Sequence, residues 1–336
     1  MNLVTGGTGL IGSWLLLELS KRGKPLRVLK RKESDTAFVK DLFLEFLSID
    51  HFEKIEWVEG DVLDLPSLDY AFAGVETLYQ AAAFVSFNPK DRKQIYKTNV
   101  VGTENVVNTA LAHKVKNLIC FSSISTLDAD ENSKLINENA LWNPEIPHSW
   151  YAISKKRTEM EFYRAGEEAV VNLLIVNPGV VIGSLDGNRS SESLFKRAFK
   201  NKAYVGSGQT SFVDVRDVAR FTAELVEREV WNNKFILSAG EARFSEVFNL
   251  LRKEQKLGKC TVLSDATLGF VKKLSVLGGL FGGQVIDKAA YNALTGSAVY
   301  STEKIKAQSG LSFIPVEEAL RFHAGRYLKN KNSKKK

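Results

Sequence analysis

From the first residue to about residue 182, short β-branched and apolar runs alternate with longer amphipathic stretches. This is the rhythm of βαβ units around a parallel sheet, because each strand is covered on both faces and each crossover carries a helix. The apolar runs predict strands at Asn2–Thr5, Leu26–Lys30, Ile55–Glu59, Thr77–Gln80, Asn117–Ser122 and Val171–Asn177. Helical periodicity predicts helices over Leu10–Arg22, Pro66–Phe72, Arg92–His113 and Tyr151–Gly166, the first stopped by Gly23 and Pro25. Six such strands suit an α/β fold, a doubly wound parallel Rossmann sheet.

After Gly183 the rhythm breaks. The run SLDGNRSSES, Ser184 to Ser193, is polar and turn-forming, and FVDV, Phe212 to Val215, reads as a strand leading into an apolar helix through Val226. A further strand at Lys234–Ser238 is expected to rejoin the main sheet, so that 1–183 with 212–240 forms the nucleotide-binding domain. Amphipathic patterns at Phe244–Leu257 and Pro315–Leu328 predict a smaller, mostly helical substrate lobe from 184–211 and 241–330. Substrate is expected in the crevice between the two. The apolar stretch LSVLGGLFGG, Leu274 to Gly283, falls short of the roughly 20 residues that span a bilayer. It is expected to pack as a helix or loop, with no stable membrane insertion.

Composition narrows the class without changing the picture. At 336 residues, 44% hydrophobic and 25% charged, the chain can bury a full core and is neither disordered nor fibrous. Its formal charge is +7, but five lysines fall in the last eight residues, leaving the body close to balance. The tail 331–336 therefore reads as a solvated, frayed end, and no nucleic-acid partner is expected. Two cysteines, Cys120 and Cys260, give no disulfide framework and no cysteine metal site. The first strand begins at Asn2, leaving no room for a signal peptide, so a cytoplasmic protein is expected.

Candidate chemistry gathers at the carboxyl ends of the predicted strands. The turn TGGTGLIG, Thr5 to Gly12, places Gly6, Thr8, Gly9, Leu10, Ile11 and Gly12 between a strand and a helix, where backbone N–H groups and a helix N-terminus receive a pyrophosphate. Glycines at this spacing also occur in ordinary turns; the flanking strand and helix decide for a dinucleotide. At the end of strand 2 the sequence reads VLKRKES, with cationic Arg31 where an acidic residue would bind the ribose of NAD. A cation there pairs with a 2′-phosphate, favouring NADP(H) over NAD(H). Asp61 and Val62, after strand 3, and Ala81, Ala82 and Ala83, after strand 4, lie on the same edge and are candidate cofactor contacts.

Strand 5 ends in CFSSIST, offering Ser122, Ser123 and Ser125. Serines after a strand also cap helices, so alone they carry little. Beyond them comes YAISK, in which Lys155 follows Tyr151 by one helical turn. The ammonium is expected to draw the phenol's proton affinity down from about 10 toward neutrality, giving a general acid or base, with a serine hydroxyl holding a substrate oxygen.

TGGTGLIG, GDVLD, the alanine run, NVVGTENV (Asn99 to Val106), FSSIS, YAISK, NPGVVIG (Asn177 to Gly183) and FVDVRDVA (Phe212 to Ala219) together resemble the extended short-chain dehydrogenase/reductase family over most of the chain. Within it the sequence is most similar to the dihydroflavonol-4-reductase-like and 3β-hydroxysteroid-dehydrogenase-like branch, from the VLKR turn, the NP before GVVIG and the closing VYSTEKIKAQSGLSFIPVEEAL. The resemblance implies a catalytic Ser, Tyr, Lys set, carried over as Ser123, Tyr151 and Lys155, with Tyr151 and Lys155 also touching the cofactor. It further implies that Ser122, Asn177, Pro178, Gly179 and Val180 lie near the nicotinamide, that Phe212 to Asp217 help close the crevice, and that a homodimer can form.

The expected activity is hydride transfer between NADP(H) and a small-molecule carbonyl or secondary alcohol, with no metal ligand set. Two alternatives are an NAD-retaining sugar-nucleotide epimerase or dehydratase, and a non-catalytic NADP-binding regulatory module. Phe195, Phe199, Trp231 and Phe270 are aromatic candidates for a substrate pocket, or equally for ordinary core.

Overall fold

The computed structural model describes residues 1–129, 135–185, 192–280 and 287–333. Parts of the Ser184–Ser193 and Leu274–Gly283 runs, and the last three lysines of the tail, lie outside the described residues. The main sheet has seven strands: β1 (Asn2–Thr5), β2 (Leu26–Lys30), β3 (Glu56–Glu59), β4 (Thr77–Gln80), β5 (Asn117–Phe121), β6 (Asn172–Pro178) and, from beyond the small sheet described below, Asn233–Leu237. They are all parallel, in the order Asn233–Leu237, β6, β5, β4, β1, β2, β3. The order reverses between β1 and β4, the switch point at which such sheets open a crevice at their carboxyl edge.

Alternation along the strands builds two cores. Val4, Val28, Tyr79, Ile119, Phe121, Leu174 and Val176 face α1 (Leu10–Lys21) and α2 (Ala37–Phe46). Their neighbours Leu3, Leu29, Leu78, Leu118, Cys120, Leu173 and Ile175 face α3 (Leu65–Phe72), α4 (Gly102–Ala112) and α5 (Trp150–Glu168). The central strands β5 and β6 thus bury both faces, which explains their apolar runs, while edge strand β3 stays partly exposed.

Three differences from the sequence expectation have physical reasons. Helix α2 was not expected; Val39, Leu42 and Phe43 form its buried stripe, and packing rather than a side-chain cap at Thr36 holds it. The single helix expected over Arg92–His113 is divided: a helical turn at Arg92–Ile95, a π-helical turn at Tyr96–Val101, then α4. The carbonyl of Asn99, within that turn, accepts from the hydroxyls of Thr103 and Thr158. Third, the lobe is not only helical. β7 (Val180–Ile182), β8 (Gln209–Asp214) and Gly240–Arg243 make a second sheet. Its core joins Ile182, Phe195, Phe212, Val247, Leu251, Leu320 and Tyr327. Buried Arg252 ties this lobe's loops through the carbonyls of Ala198, Lys200 and Asn201.

The two sheets are stitched by a buried polar cluster. Helix Val215–Glu227, entered directly from β8, packs on α1, while helix Val316–Ser333 brings His323 against Asp214. His323 accepts from the Ser184 N–H through Nδ1 and faces Asp214 through Nε2 at 3.2 Å. An imidazolium has no lone pair for Ser184, and burial lowers the proton affinity of His323, so the ring is neutral and Nε2–H donates. Burial alone would raise Asp214, but hydrogen bonds from His323 and Arg216 outweigh it and hold the carboxyl at about 2. Both folded values lie below their unfolded ones, so this stability is full at neutral pH and is lost in acid. For His323 the loss begins below about 6.5, at up to about 1.4 kcal/mol per pH unit. Urea unfolding at pH 8, 6.5 and 5 should show His323→Gln with a shallower acid decline than the parent; equal slopes would exclude this role.

Candidate active site

At the switch point the chain leaves β1 through Gly6, in the left-handed region with φ of 68°. A Cβ there would lie 2.6 Å from the Ala82 nitrogen, so the turn after β1 and the run Ala81 to Ala83 after β4 can touch only because residue 6 is glycine. The contact is fixed by Ala81 N–H donating to the Thr5 carbonyl at 3.2 Å and Ala82 N–H to Thr5 Oγ1 at 3.3 Å. Gly9 N–H closes the turn on the Gly6 carbonyl at 2.8 Å, and a Cβ on Gly12 would collide with that same oxygen. Gly9 caps α1 with no side chain reaching back, which leaves the first-turn N–H groups of Leu10, Ile11 and Gly12 without a side-chain partner. A glycine cradle with uncapped helix donors fits a pyrophosphate. Leu10 itself turns its side chain into the core, under Gly183.

Arg31 is 60% exposed at the end of β2, its one ion pair a 3.4 Å contact with equally open Glu33. Asp61 is partly committed to its own turn, since Oδ1 accepts from Leu63 N–H at 2.9 Å. Val62 is buried against Gly102.

The proton-handling group is set by α5. Ser149 caps the helix by accepting from Ala152 N–H, which places Tyr151 in the first turn. Its phenol lies beside Ser123 and edge-on to exposed Phe87, 5.6 Å between ring centres. Ser123 Oγ also accepts from Ser125 N–H and Oγ–H, at 3.2 and 3.0 Å. Lys155, one turn on, is 5% exposed and donates to the Phe121 carbonyl at 2.8 Å.

This geometry corrects one expectation. The phenol is not drawn toward neutrality: burial pushes Tyr151 up to about 12, against a smaller opposing pull from Ser123. Lys155 is directed at a backbone carbonyl, and burial weakens its own hold on a proton. One turn of helix does bring the residues together, but desolvation dominates the tyrosine.

Behind them lies a cluster that sequence reasoning missed. Glu159 is fully buried, and its Oε1 accepts from Ser122 Oγ at 2.6 Å, Thr126 Oγ1 at 2.8 Å and Asn177 Nδ2 at 2.6 Å. Ser122 and Asn177 are thereby turned into the protein interior. Pro178 and Gly179 are also buried, Gly179 so close to Ser211 that a Cβ would lie 2.7 Å from its hydroxyl, and Val180 is 40% exposed. Asn99 clamps the loop that carries Phe87, bonding both polar backbone atoms of Phe84 and reaching Ser154 on α5 at 3.0 Å. The spacing Lys155 to Glu159, again one turn, is the signal by which Glu159 was discoverable.

The aromatic candidates divide between the two readings the sequence left open. Phe195, Phe199 and Tyr327 stack together in the lobe core, and Trp231 packs on the main core. Phe270 alone of the four is exposed, at 61%. Phe212, Asp214 and Asp217 are fully buried, the aspartates pairing with Arg216 and Arg220, so they join the lobes rather than line the crevice.

The model of the NAD dependent epimerase/dehydratase family matches residues 2–236. Tetraketide alpha-pyrone reductase 2 of Arabidopsis thaliana is 29% identical over 267 residues, covering 75% of this chain and 82% of the relative. A putative dihydroflavonol 4-reductase of Synechocystis is 30% identical over 219 residues, 64% of this chain and 60% of the relative. The solved UDP-glucose 4-epimerase of Thermus thermophilus, in complex with NAD, superposes with a TM-score of 0.74 at 17% identity, over 97% and 98% of the two chains, a likeness of fold. With the family match running through the glycine cradle, α5 and the last strand of the main sheet, the chain belongs to the NAD-dependent epimerase/dehydratase family of extended short-chain dehydrogenases/reductases.

Proposed function

We propose that the protein is an NADP(H)-dependent reductase of a carbonyl compound, with Tyr151 as proton donor, Ser123 holding the substrate oxygen and Lys155 beside them. The observation that carries this reading is the placement of the Tyr151 phenol beside Ser123 at the carboxyl edge of the sheet, one helical turn from a buried lysine. NADP(H), when bound, supplies or accepts the hydride. The chain's part is then to hold the substrate oxygen and move one proton. A phenol whose proton is held up to about 12 is a donor across the physiological range, which suits reduction: the oxygen gains its proton from Tyr151 Oη as charge develops on it. Ser123, fixed by Ser125, offers a second contact to the same oxygen. The Gly6–Gly12 turn and the first turn of α1 hold the pyrophosphate, and exposed Arg31 answers a 2′-phosphate.

Three outcomes test this. In a screen of aldehydes and ketones followed by NADPH oxidation at 340 nm, Tyr151→Phe should lower turnover about 10²- to 10⁴-fold while NADPH binding, read by fluorescence, stays within about twofold. Retained turnover refutes the assignment. Because Tyr151 stays protonated until strongly alkaline pH, kcat for reduction should be flat from pH 6 to 9; a limb centred near pH 7 would show a different proton donor. In parallel titrations, Arg31→Asp should weaken NADPH about 10-fold or more and leave NADH nearly unchanged; an unaltered preference would remove Arg31 from the cofactor site.

A further inference from the structure

We propose that Glu159 is a positioning residue for the proton donor: its buried carboxylate holds the turn Ser122–Thr126 so that Ser123 meets the Tyr151 hydroxyl. The inference rests on the reading of Tyr151 given above.

Glu159 lies on α5, the helix that also carries Tyr151 and Lys155. Its carboxylate has no exposure, and one oxygen collects three donors from two other elements, the turn after β5 and the end of β6. Ser122 and Thr126 stand on either side of Ser123, so both flanks of that residue are pinned to one atom. Asn177 adds a third tie, because Nδ2 also reaches the Ser123 carbonyl at 3.0 Å. The other oxygen, Oε2, makes no hydrogen bond among the described residues and lies 3.8 Å from the Lys156 ammonium.

Convergence of three donors calls for an acceptor-only group, which is what an ionised carboxylate is. A buried charge is costly unless it is paired and hydrogen-bonded, and an apolar side chain of similar volume would pack without that cost. What the carboxylate adds is direction. It refers the serine turn to the same rigid helix that carries the tyrosine, so the separation of Ser123 from Tyr151 no longer depends on how β5 and α5 slide past each other. A misplacement of about 1 Å between such groups can lower a rate about 10²-fold.

The test uses the full chain with tyrosine carrying carbon-13 at the ring carbon that bears the hydroxyl. Loss of one signal in Tyr151→Phe identifies Tyr151. In Glu159→Gln, which keeps the volume but replaces the charged acceptor with a neutral amide oxygen and weakens all three bonds, the Tyr151 signal should move in the same sense as in Ser123→Ala. Adding Glu159→Gln to Ser123→Ala should move it no further, since the first acts through the second. Signals of remote tyrosines such as Tyr70 should hold in every variant. If the folded Glu159→Gln protein leaves Tyr151 at its parent position while Ser123→Ala shifts it, or if Ser123→Ala shifts nothing, the proposal is overturned. Glu159→Ala repeats the comparison with all three donors released, and Glu159→Gln alone decides if that variant does not fold. No substrate enters this measurement, so its failure is separate from failure of the hydride-transfer reading, which turnover of Tyr151→Phe decides.

Discussion

A helix that turns Lys155, Thr158 and Glu159 toward the interior must find a partner for each, because an unpaired buried polar group costs about 1–3 kcal/mol and a charge more. Helix α5 meets that demand on the carboxyl ends of β5 and β6. Lys155 takes the Phe121 carbonyl left over where β5 ends, Thr158 takes the spare carbonyl of the π-helical turn, and Glu159 takes the hydroxyls and amide around Ser123. These bonds fix the axial position of α5 against the sheet, and with it the height of Tyr151 over the crevice. The rest of the site is arranged around that position.

The opposite wall depends on closeness of backbone rather than on polar bonds. Gly6 in the left-handed region lets the β1 turn press on Ala81 and Ala82, and Gly12 lets α1 begin directly above the Gly6 carbonyl. Two rigid rims result, one offering N–H groups and one a phenol, with the switch point between them. Asn99 joins the rims by bonding Phe84 and Ser154 together, so the loop bearing Phe87 is held near Tyr151.

Much of this was legible in the residues. Strands buried on both faces leave continuous apolar runs, so β1, β2 and β4 fall where the sequence predicts them, and the pairings Val4 with Val28 and Tyr79 follow from parallel order. The glycine cradle was legible because a conformational demand at Gly6 permits few other residues. What escaped was set by tertiary contact. The π-helical turn at Tyr96–Val101 has no local periodicity to announce it. The second sheet uses short strands such as Val180–Ile182, whose pattern is too brief to separate from loop. Glu159 follows Lys155 by one turn, the one hint of a shared inward face, and only the fold shows three donors aimed at it.

The tyrosine gives the most instructive disagreement between spacing and environment. One helical turn between Tyr151 and Lys155 suggests a cation lowering a phenol's proton affinity, and in water-exposed helices such pairs act that way. In this site the ammonium is drawn to Phe121, and both groups are desolvated, which raises the phenol and lowers the amine. Both shifts favour the neutral side chain. Under the function proposed above, charge developing on a substrate oxygen would meet the proton on Tyr151 and the hydroxyl of Ser123, with no prior ionisation of the phenol. On the reading proposed above, a phenol that keeps its proton serves as the donor to a substrate oxygen, and the burial of α5 is what holds that proton in place.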